Sequence, residues 1–388
     1  MRRLLILACA VIFLEVTFFA VLTPLLPVFR RDLGLSEGEA GILAGSFAAG
    51  TLVMALPAGW IASRFGPRKA VILGLVGVGV FSTVFGFAER IELLDASRFL
   101  QGAAGALMWA GAISWVISAA PRDRRGQVMG TVIAAAVVGE LMGAPIGALA
   151  YEVGTEIVFS FVLVAAGILI AAAMTIPPVA EAAGQPVREA AAIVKKSGIG
   201  KALVVLAGPS AAFGLVVVLG PLRLDDLGAT PWMIAAAFVT GSLIEAIIGP
   251  IIGRVSDRVG RKIPYLAGLL MMALAIAMLG LFQPLGLVLT SVVVVAFGAG
   301  LAFTPATALI TDLATNAGLN QGYASGGANV GWAGGQMLGA VGGGFLAGAA
   351  GYLLPALLMV LVLGLTALVA RRTEEPRPGS LGEAEGIV

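Results

Sequence analysis

The sequence contains no histidine and a single cysteine, and only 12 % of its residues are charged. Each shortage removes a class of function. Without histidine there is no imidazole to act as a general base, bind a metal ion or relay protons near neutral pH. Any proton carried in that range must ride on a buried carboxylate. The lone Cys9 lies inside the first apolar run, permits no intramolecular disulfide and supplies no metal-ligand spacing. With no nucleophile–base or metal constellation and no phosphate-cradling loop, neither an enzyme nor an ATP-driven pump is expected. No metal is expected, and no cofactor beyond a proton gradient. Soluble domains carry roughly 25 % charged residues, and here the charge is half that, gathered into short clusters between long apolar runs.

What is present in abundance is apolar surface. Hydrophobic residues make up 59 % of the 388 positions and the mean hydropathy is +1.02, which requires a lipid environment. A spanning helix needs ~20 apolar residues. Runs of that kind occur at 4–29, 38–62, 70–88, 92–118, 127–150 and 157–177, and again at 200–221, 232–253, 263–281, 286–312, 322–348 and 352–370. This predicts an all-α membrane protein of twelve spans, with an N-terminal half at 1–177 and a C-terminal half at 200–370. Between them, 178–199 holds Pro178, Pro186, Arg188, Lys195 and Lys196 and reads as a cytoplasmic linker. The segment 371–388, with Pro376 and Pro378, reads as a disordered cytoplasmic tail. Arg2 and Arg3 precede an apolar run longer than the ~7–15 residues of a signal-peptide core, so the first run reads as a retained span. With both termini inside, Arg30, Arg31, Arg90 and Arg223 alone lie in outside loops and Arg98 falls within span 4. That asymmetry predicts a multi-pass protein of a bacterial inner membrane with cytoplasmic termini. The 54 glycines read as helix contacts, because small residues let backbones approach in lipid.

The two halves repeat one another. Gly59-Trp-Ile-Ala-Ser63-Arg64-Phe-Gly66-Pro-Arg68-Lys69 follows span 2, and Gly253-Arg-Val-Ser-Asp257-Arg258-Val-Gly260-Arg261-Lys262 follows span 8, at an offset of 194. Span 5 carries Gly139-Glu140-Leu-Met-Gly143-Ala-Pro145-Ile-Gly147, and span 11 carries Gly335-Gln336-Met-Leu-Gly339-Ala-Val-Gly-Gly343, at an offset of 196. A parallel repeat places a substrate site between the halves near the bilayer midplane. The paired loops resemble the signature of the major facilitator superfamily, with Ser63 in place of the usual aspartate that Asp257 retains. The resemblance implies two six-helix halves around a central cavity. It also implies a cytoplasmic latch at Gly59, Arg64, Gly66 and Arg68, and at Gly253, Asp257, Arg258, Gly260 and Arg261. Arg98 to Gly105 in span 4 is similar to a motif whose buried arginine takes part in proton coupling. Gly139 to Gly147 resembles the antiporter motif of span 5, with Pro145 one residue late. Together they liken the chain to the twelve-span drug:proton antiporters.

Three carboxylates, Glu15, Glu140 and Glu245, lie 12 to 14 residues into their spans, which at 1.5 Å per residue is near mid-bilayer. Ionisable groups there cost ~2.5–3.5 kcal/mol or more and mark functional sites by default. These three, with Arg98, are the candidates for proton coupling. Arg98, Gln101, Gly105 and Trp109 share one face of span 4, and Arg98 either pairs with Glu15 or contacts backbone carbonyls of span 1. Glu15 and Phe19 on span 1, and Asn329, Trp332 and Gln336 on span 11, complete an expected substrate-binding set with Gln101 and Trp109. The two tryptophans read equally as cation–π partners or as packing. Gly139, Gly143, Pro145 and Gly147 read as a helix-packing motif. The reading that follows is a monomeric exporter of lipophilic, cationic small molecules driven by protons, with the bilayer and no nucleic acid as its surroundings. A proton-coupled sugar or amino-acid transporter is the alternative, and a non-transporting receptor a further one.

Overall fold

In lipid every backbone polar group must be satisfied within the chain, which leaves helix as the solution for these apolar runs. The computed structural model describes residues 1–121, 124–177, 198–319 and 321–373, and every regular element among them is a helix. Span 1 runs from Arg2–Ala20 into Leu22–Leu33. Glu37–Phe65, Pro67–Gly86, Ile91–Ala119, Arg125–Val153 and Thr155–Thr175 are spans 2 to 6. Ile199–Asp226, Pro231–Val259, Lys262–Leu281, Leu285–Asn316, Gln321–Ala350 and Leu353–Arg371 are spans 7 to 12. Eleven of these are long and apolar enough to cross a membrane. Gln321–Ala350 is equally long, and its many glycines dilute its apolar character. The expected linker and tail lie outside the described residues except at 198–199 and 371–373.

Local chemistry sets the helix ends. Ser36 caps span 2, accepting from the Glu39 amide at 3.2 Å while its own amide donates to the Glu39 carboxylate at 2.8 Å. Its repeat counterpart Thr230 caps span 8 ahead of Pro231. The two signature segments are not loops, as the sequence reading had them. Span 2 stays helical to Phe65 and span 8 to Val259. The turn is made by Gly66 alone in the first repeat and by Gly260 with Arg261 in the second, the glycines at φ 90° and 89°, a region that only glycine enters without strain. Span 1 is broken at Val21, where Pro24 has no N–H to offer the Ala20 carbonyl.

Glycine faces bring the spans together. A Cβ at Gly139 or Gly143 would come within 2.7 Å of the Phe13 and 2.6 Å of the Thr17 carbonyl oxygens, and one at Gly147 would run into the Val21 carbonyl. Spans 1 and 5 therefore touch backbone to backbone. Gly335 and Gly339 meet Ala207 and Ala211 of span 7 in the same way. The halves meet along two seams, span 2 against span 11 and span 5 against span 8. In the first, Gly41 faces the Ala340 carbonyl and Gly344, and Gly45 faces Val341. In the second, Ala144 and Ala148 pack on Ala235. Exposed side chains such as Phe161, Ile168, Ile263, Leu274 and Leu365 face outward, as a lipid-facing surface requires.

The two faces of the bundle differ. Met1, Ala119 and Pro177 come together on what we call the terminal face. On the opposite face the halves are tied by charge. Arg30 pairs with Asp226 at 3.0 Å, Arg31 pairs with Asp225, and Trp232 donates to Glu152 at 2.6 Å. The Tyr352 hydroxyl also donates to Asp226, and the Arg223 guanidinium lies 4.8 Å over the Tyr352 ring. Burial, reinforced by Asp226, pushes the Tyr352 hydroxyl above its ordinary range, so it remains a donor at every working pH.

Candidate functional site

A cavity of about 320 Å³ lies between the halves, and Glu15, Glu140 and Glu245 all reach it. Phe19, Trp109, Asn329 and Trp332 from the expected set line it too. Glu15 of span 1 is held from span 4. The Trp109 Nε1–H donates to its Oε2 at 2.8 Å, and a Cβ at Gly105 would come within 2.7 Å of its Oε1. Gly105 thus makes the room that the carboxylate occupies.

Arg98 takes the second of its two expected arrangements. Its Nη1 donates to the Phe18 carbonyl and to Gln101 Oε1, both at 3.0 Å, and its Nη2 donates to the Phe19 carbonyl at 3.1 Å. No ion pair with Glu15 forms among the described residues. The guanidinium lies against the Phe47 ring, 4.9 Å from its centre, with only 2 % of the residue exposed. The break at Val21 adjoins these carbonyls, and Arg98 braces it. Gln101 is turned away from the cavity as well, donating to Ser82 at 3.0 Å. Gln336 is 2 % exposed, and its side-chain oxygen has no hydrogen-bond partner among the described residues. Neither amide lines the cavity, where the sequence reading had placed both, and Gln101 is taken up between Arg98 and Ser82.

The other two carboxylates face each other from opposite halves. Ser242 of span 8 donates to Glu140 of span 5 at 3.3 Å, and Glu245 follows one turn after Ser242, next to Gly300. The repeat makes this pair informative. Glu140 corresponds to Gln336 at offset 196, and Glu245 corresponds to Thr51 at offset 194. One seam carries two carboxylates where the other carries an amide and a hydroxyl.

Aromatic rings fill the rest of the wall. Phe19 lies 5.7 Å from Trp332, an edge-to-face contact between halves, and Phe213 lies 6.3 Å from Phe303. Thr51, Ile133, Phe213, Phe303 and Thr307 line the cavity without having been singled out from sequence. Among apolar spans such residues look like any other core position. Gly300, packed on Glu245, was missed for the same reason. No Lys or Arg lines the cavity among the described residues.

At the terminal face, Arg68 donates to the Met174 carbonyl at 3.0 Å, and Arg261 pairs with Asp312 at 2.6 Å. Both contacts stay within one half. Gly59 and Arg64 lie on the last turns of span 2, and Gly253 and Arg258 on those of span 8. The Asp257 side chain lies outside the described residues.

The sequence matches the Major Facilitator Superfamily over residues 8–222 and again over 202–387. It is 31 % identical over 149 residues to the MFS-type transporter ppzB of Metarhizium majus, covering 37 % of this chain and 32 % of that one. It is 28 % identical over 174 residues to Multidrug resistance protein 2 of Bacillus subtilis, covering 45 % and 43 %. To the Quinolone resistance protein NorA of Staphylococcus aureus it is 25 % identical over 150 residues, covering 39 % of each. These matches span less than half the length of each relative. Two matches to the family that together cover nearly the whole chain, over a bundle of membrane-length helices around a central cavity, show that this chain belongs to the Major Facilitator Superfamily of membrane transporters.

Proposed function

We propose that the protein exports lipophilic cations from the cytoplasm in exchange for protons. The observation that carries this reading is a cavity holding three carboxylates and no lining cation, walled by Phe19, Trp109, Phe213, Phe303 and Trp332. Such a site lacks positive charge, and two kinds of ligand supply it: protons on the carboxylates, or a cationic substrate among the rings. Each excludes the other. A cation arriving beside Glu15 favours loss of its proton, and a proton arriving there weakens the hold on the cation. Rocking of the halves about the cavity converts that competition into exchange. Arg98 acts here as a positioning residue, bracing span 1 so that Glu15 meets Trp109. Two of the similar proteins carry names in multidrug and quinolone resistance, which agrees with a site of this character.

The sugar alternative is disfavoured by the cavity's composition. Hydroxyl-rich ligands need several convergent polar partners, and neither Gln101 nor Gln336 lines the cavity. The test is transport in everted vesicles loaded with acid. Tetraphenylphosphonium should enter and discharge the proton gradient, and Glu15→Gln should abolish both. A gradient left intact by every lipophilic cation tried would overturn the proposal.

A further inference from the structure

In each half the third helix begins by clasping the end of the sixth. Arg68 at the start of span 3 donates to the Met174 carbonyl of span 6 at 3.0 Å, and Lys262 at the start of span 9 donates to the Arg371 carbonyl of span 12 at 3.3 Å. The donors correspond at offset 194 and the acceptors at offset 197, so one fastening is used twice. It satisfies a carbonyl that the end of a helix leaves without an internal partner, and it sets a positive charge at the negative end of the helix dipole.

Around this shared fastening the halves differ in two places. Beside the donor, the first half has Pro67 where the second has Arg261. Just past the acceptor, the first half has Pro177 and Pro178 where the second has Glu374 and Glu375. The half with the additional cation is therefore also the half with two carboxylates, placed three and four residues beyond the clasped carbonyl.

Geometry brings cation and acids to one spot. Arg261, Lys262 and Thr373 line a crevice at the terminal face, among spans 7, 9, 10 and 12. Arg261 pairs with Asp312 through Nη2 at 2.6 Å, whereas its Nη1 is buried and has no hydrogen-bond partner among the described residues. A buried donor of a charged group is unfavourable without an acceptor. After span 12 the chain turns towards this atom. Arg371 and Arg372 are exposed, but Thr373 is only 6 % exposed. It is held there by its amide, which donates to the Ala370 carbonyl at 3.2 Å, and by its hydroxyl, which donates to the Val369 carbonyl at 3.0 Å. Glu374 is the next residue, about 3.8 Å further along the chain.

We propose that Glu374 and Glu375 bind back into this crevice against Arg261 and Lys262, so that the segment following span 12 covers the terminal side of the C-terminal half. A guanidinium offers a fork of N–H groups to carboxylates, and with Nη2 on Asp312 the Nη1 of Arg261 is left for a second acid. The contact ties the turn between spans 8 and 9 to the end of span 12. All its parts belong to one half, so it moves with that half and does not depend on what is transported. It also fills a basic site that a lipid phosphate would otherwise reach.

Carbodiimide coupling, which joins an amine to a carboxylate in contact with it, tests this on the purified full chain in phosphatidylcholine nanodiscs. Lys262 should be linked to Glu374 or Glu375, read as a cross-linked peptide by mass spectrometry, and Lys69 of the other half should not. Arg261→Gln keeps the reporting lysine and should lower the yield at least about twofold. Raising the salt to 1 M, where the screening length is ~3 Å, should lower it as well. Should Arg261→Gln not fold, a nitroxide on Ser380→Cys in a Cys9→Ser background gives the second reading: Glu374→Gln with Glu375→Gln, both past the last span, should make it more mobile. Linkage to Lys69 as frequent as to Lys262, a yield unchanged in Arg261→Gln, or a label equally mobile with and without the two acids would overturn the proposal. A link formed in phosphatidylcholine and lost when phosphatidylglycerol is added would give the crevice to a lipid phosphate and overturn the acidic segment as its occupant.

Discussion

Neutralising the acidic pair at the end of span 7 should open the face opposite the termini. Asp226 accepts from Arg30 and from Tyr352, and Asp225 accepts from Arg31. The four charged side chains of these two ion pairs are between 15 and 46 % exposed, so each ion pair contributes only ~0.2–1 kcal/mol, while the tyrosine bond stays within the C-terminal half and does not bear on closure. Asp225→Asn with Asp226→Asn therefore removes roughly 0.4–2 kcal/mol from the closed arrangement, a shift of about 2- to 30-fold in the balance between closed and open. Spin labels on the loops after spans 1 and 7, in a Cys9→Ser background, report that balance as a distance distribution. High salt should move the parent the same way, because at 1 M the screening length falls to ~3 Å. The repeat supplies a sharper control. Arg31 and Asp225 occupy equivalent positions at offset 194, so Arg31→Asp alone should open the face and Arg31→Asp with Asp225→Arg should close it again. Distances unchanged in the double neutral variant, or unrescued by the exchange, would refute the clamp.

Two further outcomes follow from packing. Gly41→Ala places a methyl 2.7 Å from the Ala340 carbonyl oxygen and 3.1 Å from Gly344, both backbone, and should cost about 1–3 kcal/mol in thermal unfolding, whereas Gly130→Ala on span 5, where a Cβ would meet nothing within 4 Å, should not destabilise. Equal loss in both would mean the seams are equally closed. Arg98→Lys replaces a fork that reaches two carbonyls and Gln101 with one ammonium, and should lower stability by about 1–3 kcal/mol while the pH profile of export is kept. A displaced pH profile at unchanged stability would instead give Arg98 a direct part in proton transfer.

The spans were legible in the sequence to within a few residues, because lipid demands long apolar helices and glycine with proline ends them at Gly66 and Gly260. The break at Val21 was legible in principle from Pro24. The acidic half of the site was legible for an energetic reason: Glu15, Glu140 and Glu245 are too costly at mid-bilayer to be incidental. The apolar half was not. Phe213, Phe303 and Ile133 sit in helices apolar on every side, where periodicity no longer separates a cavity-facing stripe from a lipid-facing one. Gln101 and Gln336 were assigned to the wrong surface because an amide within a span serves equally well inside helix packing. Arg98 was left between two partners, because which of them it reaches depends on how span 4 packs against span 1.

Duplication makes the differences between halves more telling than the likenesses. Gly139 and Gly335, Gly143 and Gly339, Ser36 and Thr230 keep the same task in both halves, and all of them are packing or capping positions. Among the positions that diverge are Arg31 against Asp225, Glu140 against Gln336, Glu245 against Thr51 and Ala55 against Gly249. Arg31 and Asp225 pair across the halves, and Glu140, Glu245 and Thr51 line the cavity between them. A symmetric dimer of halves would have two equal seams and no reason to move about one more than the other. Here the span 2/span 11 seam holds at Gly326 against Ala55, whereas their counterparts Gly130 and Gly249 meet no residue of the other half within 4 Å among the described residues. Like charges facing each other favour parting, and a proton shared between them removes that repulsion. On the exchange reading proposed above, the state of charge in the cavity and the width of that seam are set by the same two side chains, which is the coupling such an exchanger requires.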